Sequence, residues 1–242
     1  MSELLQAQRE SDDPWSLLAA EDLRVLAWLH ASERSPRVLI DLHTNGFPST
    51  LTLVKQQDPW ILAMNQALGA LIPPHPRYSI SESSAMVEDE LASDFAAIYL
   101  THALRASPHE SVWRDEDHLM LQEPTFAVRA FYRRHGLQAF DWRQRADDHL
   151  VTELEFTATL LERKELKETA RFLKSHLLAW LPNFAARVGQ RASTPFYAAL
   201  AGLTLAACEV CVERLPKVAV IPPVRATSSV DSNQDGGCSS SV

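Results

Sequence analysis

Apolar residues recur along this chain at intervals of three and four, and little besides proline interrupts them. Only seven glycines stand among 242 residues. A 3.6-residue apolar repeat is the signature of helices that bury one face, and a chain poor in glycine lacks the turns that tight β-hairpins need. The fold class this predicts is all-α. At this length a folded body buries roughly 70% of its unfolded surface, so a core forms without disulfide staples. No Gly-rich phosphate loop, neither G-x-G-x-x-G nor a Walker lysine, is present.

The helix boundaries are marked locally. Asp13-Pro14 opens a first helix that turns Trp15, Leu18, Val25, Leu26 and Leu29 inward. A shorter one, Arg37 to Thr44, stops at Asn45-Gly46, and Asp58-Pro59 starts a third that buries Ile61, Met64, Leu68 and Leu71. Prolines 73, 74 and 76 then make a loop. From Ser84 to His102, Met86, Leu91, Phe95, Ile98 and Tyr99 form an apolar face, and Glu88, Asp89, Glu90 and Asp94 an acidic one. After an irregular link, Ser107 to Trp113, and an acidic turn at Asp115 to Asp117, Glu123-Pro124 begins a helix ending at Arg133, Arg134, His135 and Gly136.

Residues 137–146 read as a connector. Asp147 or Asp148 then caps a helix carrying Leu150, Leu154, Ala158 and Leu161, and the next carries Leu166 to Leu181, with Pro182 expected to kink or end it. Thr194-Pro195 opens a last helix to about Leu215; beyond Pro216 the composition turns to that of a disordered tail, although Val218 to Ile221 can lie extended against the body.

A formal net charge of −8 disfavours nucleic acid, whose binding relies on Lys and Arg, and favours a basic peptide. No apolar run reaches the length of a membrane span and the N-terminus lacks signal-peptide features, which predicts a cytoplasmic protein. Cys208 and Cys211 form a C-x-x-C without the second pair that zinc needs, so they read as small buried residues one helical turn apart.

The chemistry-bearing cluster is Asp147-Asp148-His149 with Glu153. His149 and Glu153 share a helix face, yet H-E-x-x-H is absent and the ligand set is short, so neither metal nor cofactor is expected. Asp148 can orient and charge His149 for acid–base work, but nothing supplies a nucleophile. First-turn acids need no function beyond stabilising the positive end of a helix. They leave His149 unexplained, because a cation-capable residue is misplaced there.

One ordered succession is more specific. Asp94-Phe95-Ala-Ala-Ile-Tyr99 is followed by Pro108-His-Glu-Ser111-Val-Trp113, by Gln122-Glu123-Pro124 leading to Phe131-Tyr132 and Gly136, by Asp148-His149-Leu150 with Glu153, and by His176-Leu177 with Trp180 and Phe184. It resembles the TorD/DmsD/NarJ family of redox-enzyme maturation chaperones over residues 85–190. In that family the hinge reads Glu-Pro-x-Asp-His; here Arg145-Ala146 replace Glu-Pro, while Asp148-His149 are kept.

The resemblance implies a cytoplasmic, non-enzymatic, TorD-like helical bundle. Its larger N-terminal domain, 1–136, would be hinged through 137–146 to a smaller domain, 147–215, before a tail at 216–242. Such a chaperone binds the twin-arginine leader and the apo-form of a molybdopterin oxidoreductase subunit, assisting cofactor insertion before export, as a monomer or dimer. Asp94, Phe95, Tyr99, Ser111, Trp113, Asp148, His149 and Glu153 would form the peptide site. The alternatives are a NarJ-type assembly chaperone for a membrane-bound nitrate-reductase-like subunit and, from a different class, a metal-dependent hydrolase centred on Asp148 and His149.

Overall fold

The computed structural model describes residues 14–72, 80–139 and 145–219, and among them there is no strand. The expected cap Asp13, the prolines at 73, 74 and 76, and the tail from 220 onward lie outside the described residues. The helices are α1 (Trp15–Ala31), α2 (Pro36–Thr44), α3 (Pro59–Gly69), α4 (Ile80–Phe95), α5 (Glu110–Arg114), α6 (Glu123–Arg134), α7 (Leu150–Glu162), α8 (Leu166–Phe172), α9 (Leu178–Arg191) and α10 (Pro195–Arg214). Two π-helical turns extend this set, Ala96–Leu100 after α4 and Leu173–Leu177 between α8 and α9.

The local signals act as expected at several ends. The Asp58 carboxylate accepts the Trp60 N–H and so caps α3. Gly46 and Gly136 adopt φ of 100° and 67°, the left-handed conformation that closes a helix and that glycine reaches without a Cβ clash. Pro182 does not end its helix: the π turn ahead of it takes up the irregularity, α9 runs through, and the proline sits on the exposed side, where water can reach the carbonyl left without a donor. The link at 107–113 is likewise shorter than expected, since α5 begins at Glu110.

Helix α10 lies at the centre. It is long and apolar enough to cross a membrane by length and composition, but 67% of that stretch is buried inside the bundle. It packs on α3 and α9, and α1 lies along α7. One apolar cluster therefore runs from Ala19 in α1 to Leu215, drawing on both sides of the 137–146 connector. A smaller cluster of Val128, Phe131, Tyr132, Phe156, Leu160 and Phe172 fastens α6 to α7 and α8. Leu18 and Met86, expected inside, are 40% and 65% exposed; each lies on the outer side of a helix whose neighbouring residues, Ala19 and Val87, pack into the core. Cys208 and Cys211 are buried as free thiols; burial pushes the first well above its ordinary range and the second up to about 12, so both are inert.

Candidate functional site: a buried polar joint beside an open groove

The acids at the entrance of α7 part company. Asp147 turns to Arg129, whose Nε lies 2.8 Å from Oδ2, and the Tyr132 hydroxyl donates to the Asp147 carbonyl at 2.8 Å. Asp148 turns the other way, is fully buried, and accepts the Ser111 N–H at 2.9 Å. Its carbonyl accepts the Glu110 N–H at 3.0 Å, and Leu150 N–H donates to the Pro108 carbonyl at 2.8 Å. His109 and His149 thus face one another in a single antiparallel bridge that joins the 107–114 segment to the start of α7.

With both aspartates engaged elsewhere, His149 is the N-cap. Its Nδ1 accepts the Val151 N–H at 3.1 Å, which requires the neutral ring with its proton on Nε2. This corrects the expectation that Asp147 or Asp148 caps α7. It also explains the misplaced histidine, since a neutral imidazole offers the helix end an acceptor rather than a charge. Burial holds His149 well below its ordinary range, and the neighbouring His109 and Arg145 push the same way. His109, whose ring lies edge-on to His149 at 4.9 Å, is lowered to about 4 by burial, against an opposing pull from Asp148.

Glu110 and His176, present in the motif succession but given no site role by the sequence, complete the joint. Glu110 is fully buried; its carboxylate meets Arg114 and lies 3.1 and 3.2 Å from His176 Nδ1, a residue that the second π turn carries. Glu153, also fully buried, accepts the Trp180 indole N–H at 3.2 Å through Oε2, while Oε1 has no partner among the described residues. Burial raises the Glu153 carboxyl well above its usual range, the Glu110 and Asp148 carboxylates add to the rise, and the indole opposes it. No local signal could have paired Glu110 with a histidine 66 residues away. Among the described residues, no group of three or more His, Cys, Asp or Glu is placed to hold a metal ion.

The other expected peptide residues separate from this joint. Asp94, assigned to an exposed acidic face, is buried: its carboxylate accepts the N–H of Ser193 at 3.0 Å and the N–H and hydroxyl of Thr194 at 2.6 and 2.7 Å, fixing the turn into α10. Phe95 packs in the core against Tyr99, the rings tilted by 32°, and the Tyr99 hydroxyl donates to His30 Nδ1 at 2.5 Å; His30 Nε2 in turn donates to Thr204 Oγ1 at 2.9 Å. Asp94, Phe95, Tyr99, Ser111, Asp148 and Glu153 are all buried, so this conformation does not present them to a peptide. His149 is only 7% exposed.

Trp113 is the exception. It is half-buried, its indole N–H donates to the Ser107 carbonyl at 2.8 Å, and one side faces a groove of about 730 Å³ lined also by His102, Val112, Leu119, Met120 and Arg187. Glu88, Asp89 and Glu90 remain exposed on α4.

Residues 61–186, just over half of the chain, match the family model described as "Nitrate reductase delta subunit". The chain is similar to a protein of Vibrio vulnificus named "Chaperone protein TorD", 30% identical over 131 residues that make up 49% of this chain and 61% of that one. It is similar to the "Tat proofreading chaperone DmsD" of Salmonella typhi, 32% identical over 123 residues, 49% of this chain and 60% of the relative. A "Chaperone protein TorD" of Vibrio atlanticus aligns more widely, 25% identical over 202 residues, 78% of this chain and 91% of the relative. The chain thus spans about three-fifths of the length of the first two of these relatives.

Proposed function

We propose, from the premise that the chain belongs to the nitrate reductase delta subunit family, that it is a maturation chaperone for the catalytic subunit of a molybdopterin oxidoreductase. It binds the subunit's twin-arginine leader and apo-form in the cytoplasm until the cofactor is inserted. The relatives named above are chaperones, not enzymes, and this kinship is the observation that carries the reading. A NarJ-type role, with a client that stays membrane-bound, differs only in what the leader contributes.

The geometry bears on how such a leader is held. Buried Asp148, Glu153 and Asp94 are already paired or desolvated, so a guanidinium cannot reach them without opening the joint. The exposed carboxylates Glu88, Asp89 and Glu90 on α4 are accessible to paired arginines, and opposite charge there steers and orients a basic leader. His149 and Asp148 serve as positioning residues that hold the 107–114 segment against α7.

The test is titration of the full chain with a twin-arginine leader peptide, alongside a copy with both arginines replaced by alanine. Wild type is expected to prefer the intact leader by tenfold or more, and a chain with Glu88, Asp89 and Glu90 all changed to lysine to lose that preference while its helical circular dichroism persists. Equal affinity for both peptides would remove leader recognition. Co-expression with a client whose cofactor content does not rise would remove the maturation role.

A further inference from the structure

We infer that the groove beside Trp113 receives a different kind of segment: an apolar stretch of client polypeptide flanked by carboxylates. The floor is apolar, formed by Val112, Trp113, Leu119 and Met120, and two of these, Leu119 and Met120, are 53% and 38% exposed on the open side. The rim is basic. Arg105 and Arg187 line it with His102 and His118, and Arg191 stands just behind, donating to the Leu104 carbonyl at 2.9 Å.

These three arginines lack a carboxylate within ion-pair distance among the described residues, in a chain whose formal charge is −8. Arg187 instead donates to the Arg105 carbonyl at 3.3 Å and places its guanidinium 5.7 Å from the centre of the Trp113 ring. Glu110, the acid nearest to Arg105 in sequence, is committed to Arg114 and His176, and in the flanking loop Asp115 accepts from the Asp117 N–H within its own turn. A guanidinium left unpaired at the mouth of an apolar groove is complementary to a carboxylate, and planar enough to bind one through two parallel hydrogen bonds. It repels the paired arginines of a leader.

The backbone supports a formed site. His102, Arg105, His118 and Leu121 all have φ between 51° and 60°, and they are four of the five non-glycine residues with positive φ among the described residues. Each such residue costs on the order of 1–3 kcal/mol, a strain that concentrates where a loop must keep one shape. All four lie in or next to the two loops that flank the groove.

The origin of the segment rests on the chaperone reading; the charge preference does not. Three labelled peptides sharing one Leu/Phe core, with Asp/Glu, Ser/Gln or Lys/Arg flanks, are titrated into the full chain by fluorescence anisotropy. The acidic-flanked peptide is expected to bind at least tenfold tighter than the basic one, with the neutral one between. Arg105→Glu together with Arg187→Glu, changes at the rim that leave the core untouched, should reverse that order. Trp113→Ala should weaken all three peptides.

Binding independent of flank charge, a preference for basic flanks, or no binding at all would overturn the inference. So would displacement of the acidic peptide by inorganic phosphate at constant ionic strength, which assigns the arginines to a small anion. A chain that matures its client yet shows no charge order refutes the groove alone. The order persisting in a chain that raises no client's cofactor content refutes the chaperone reading alone.

Discussion

Glu153→Gln should make the protein more stable relative to wild type, and increasingly so as pH rises. Glu153 is fully buried, accepts one N–H from Trp180, and faces two further carboxylates, so the folded chain keeps it protonated well above the usual carboxyl range. The unfolded chain releases that proton near its ordinary value of 4.5. Between that pH and the folded-state value the native state binds more protons than the unfolded state, so stability falls with rising pH by about 1.4 kcal/mol per unit. Glutamine keeps the acceptor for Trp180, supplies an N–H where the carboxyl supplied its proton, and cannot ionise.

The stability gap between variant and wild type should therefore widen by about 1.4 kcal/mol from pH 5 to pH 6. For a chain of this length that corresponds to roughly 3–6 °C in melting temperature. Urea titrations followed by circular dichroism at both pH values, with the slope on denaturant held equal, measure it directly. A gap that does not change with pH would mean that Glu153 ionises in the folded protein, and the account of the joint as a desolvated, proton-holding cluster would fail.

Asp94→Ala removes three hydrogen bonds to Ser193 and Thr194 from a buried carboxylate and should cost about 3 kcal/mol; a thermal melt within a degree of wild type would show that the turn into α10 does not depend on it. His149→Asn should retain the cap on Val151, whereas His149→Ala should lose about 1 kcal/mol. Because the folded state holds His149 neutral well below 6.5, wild type also loses stability as pH falls through 6.5, and the asparagine variant should show less of that loss. Gly202→Ala would place a methyl 2.3 Å from the Trp60 ring, and a destabilisation of about 2 kcal/mol or more is expected; an unchanged unfolding midpoint would place that ring elsewhere.

What could be read in advance depended on whether its cause was local. Asp58-Pro59, Asn45-Gly46, Gly136 and Thr194-Pro195 set helix ends through their own backbone chemistry, and the structure keeps each of them. Asp94 leaves the acidic face that its local pattern predicts because its partners lie about a hundred residues further on, where three hydrogen bonds offset the cost of burying the carboxylate. The cap of α7 departs from residue preference for a related reason. By residue preference either aspartate is the better cap, but Arg129 draws one away and the Ser111 amide the other, so the weaker cap takes the position.

That division of the acids bears on the two-domain reading. Asp148 and Leu150 tie the entrance of α7 to Pro108, Glu110 and Ser111 through three hydrogen bonds, and α1 packs along α7 across the 137–146 connector. A hinge at 137–146 can open only if those bonds break and Asp148, Glu110 and Glu153 meet water. Hydration would relieve the desolvation that now keeps Glu153 protonated, so opening and proton release are coupled. Rising pH should accordingly favour the opened form. Amide exchange of Ser111 and Leu150 measures this. At a fixed intrinsic rate, with the contribution of His109 and His149 common to both proteins, protection in wild type should fall relative to Glu153→Gln as pH rises; parallel behaviour in both proteins would separate the joint from any hinge.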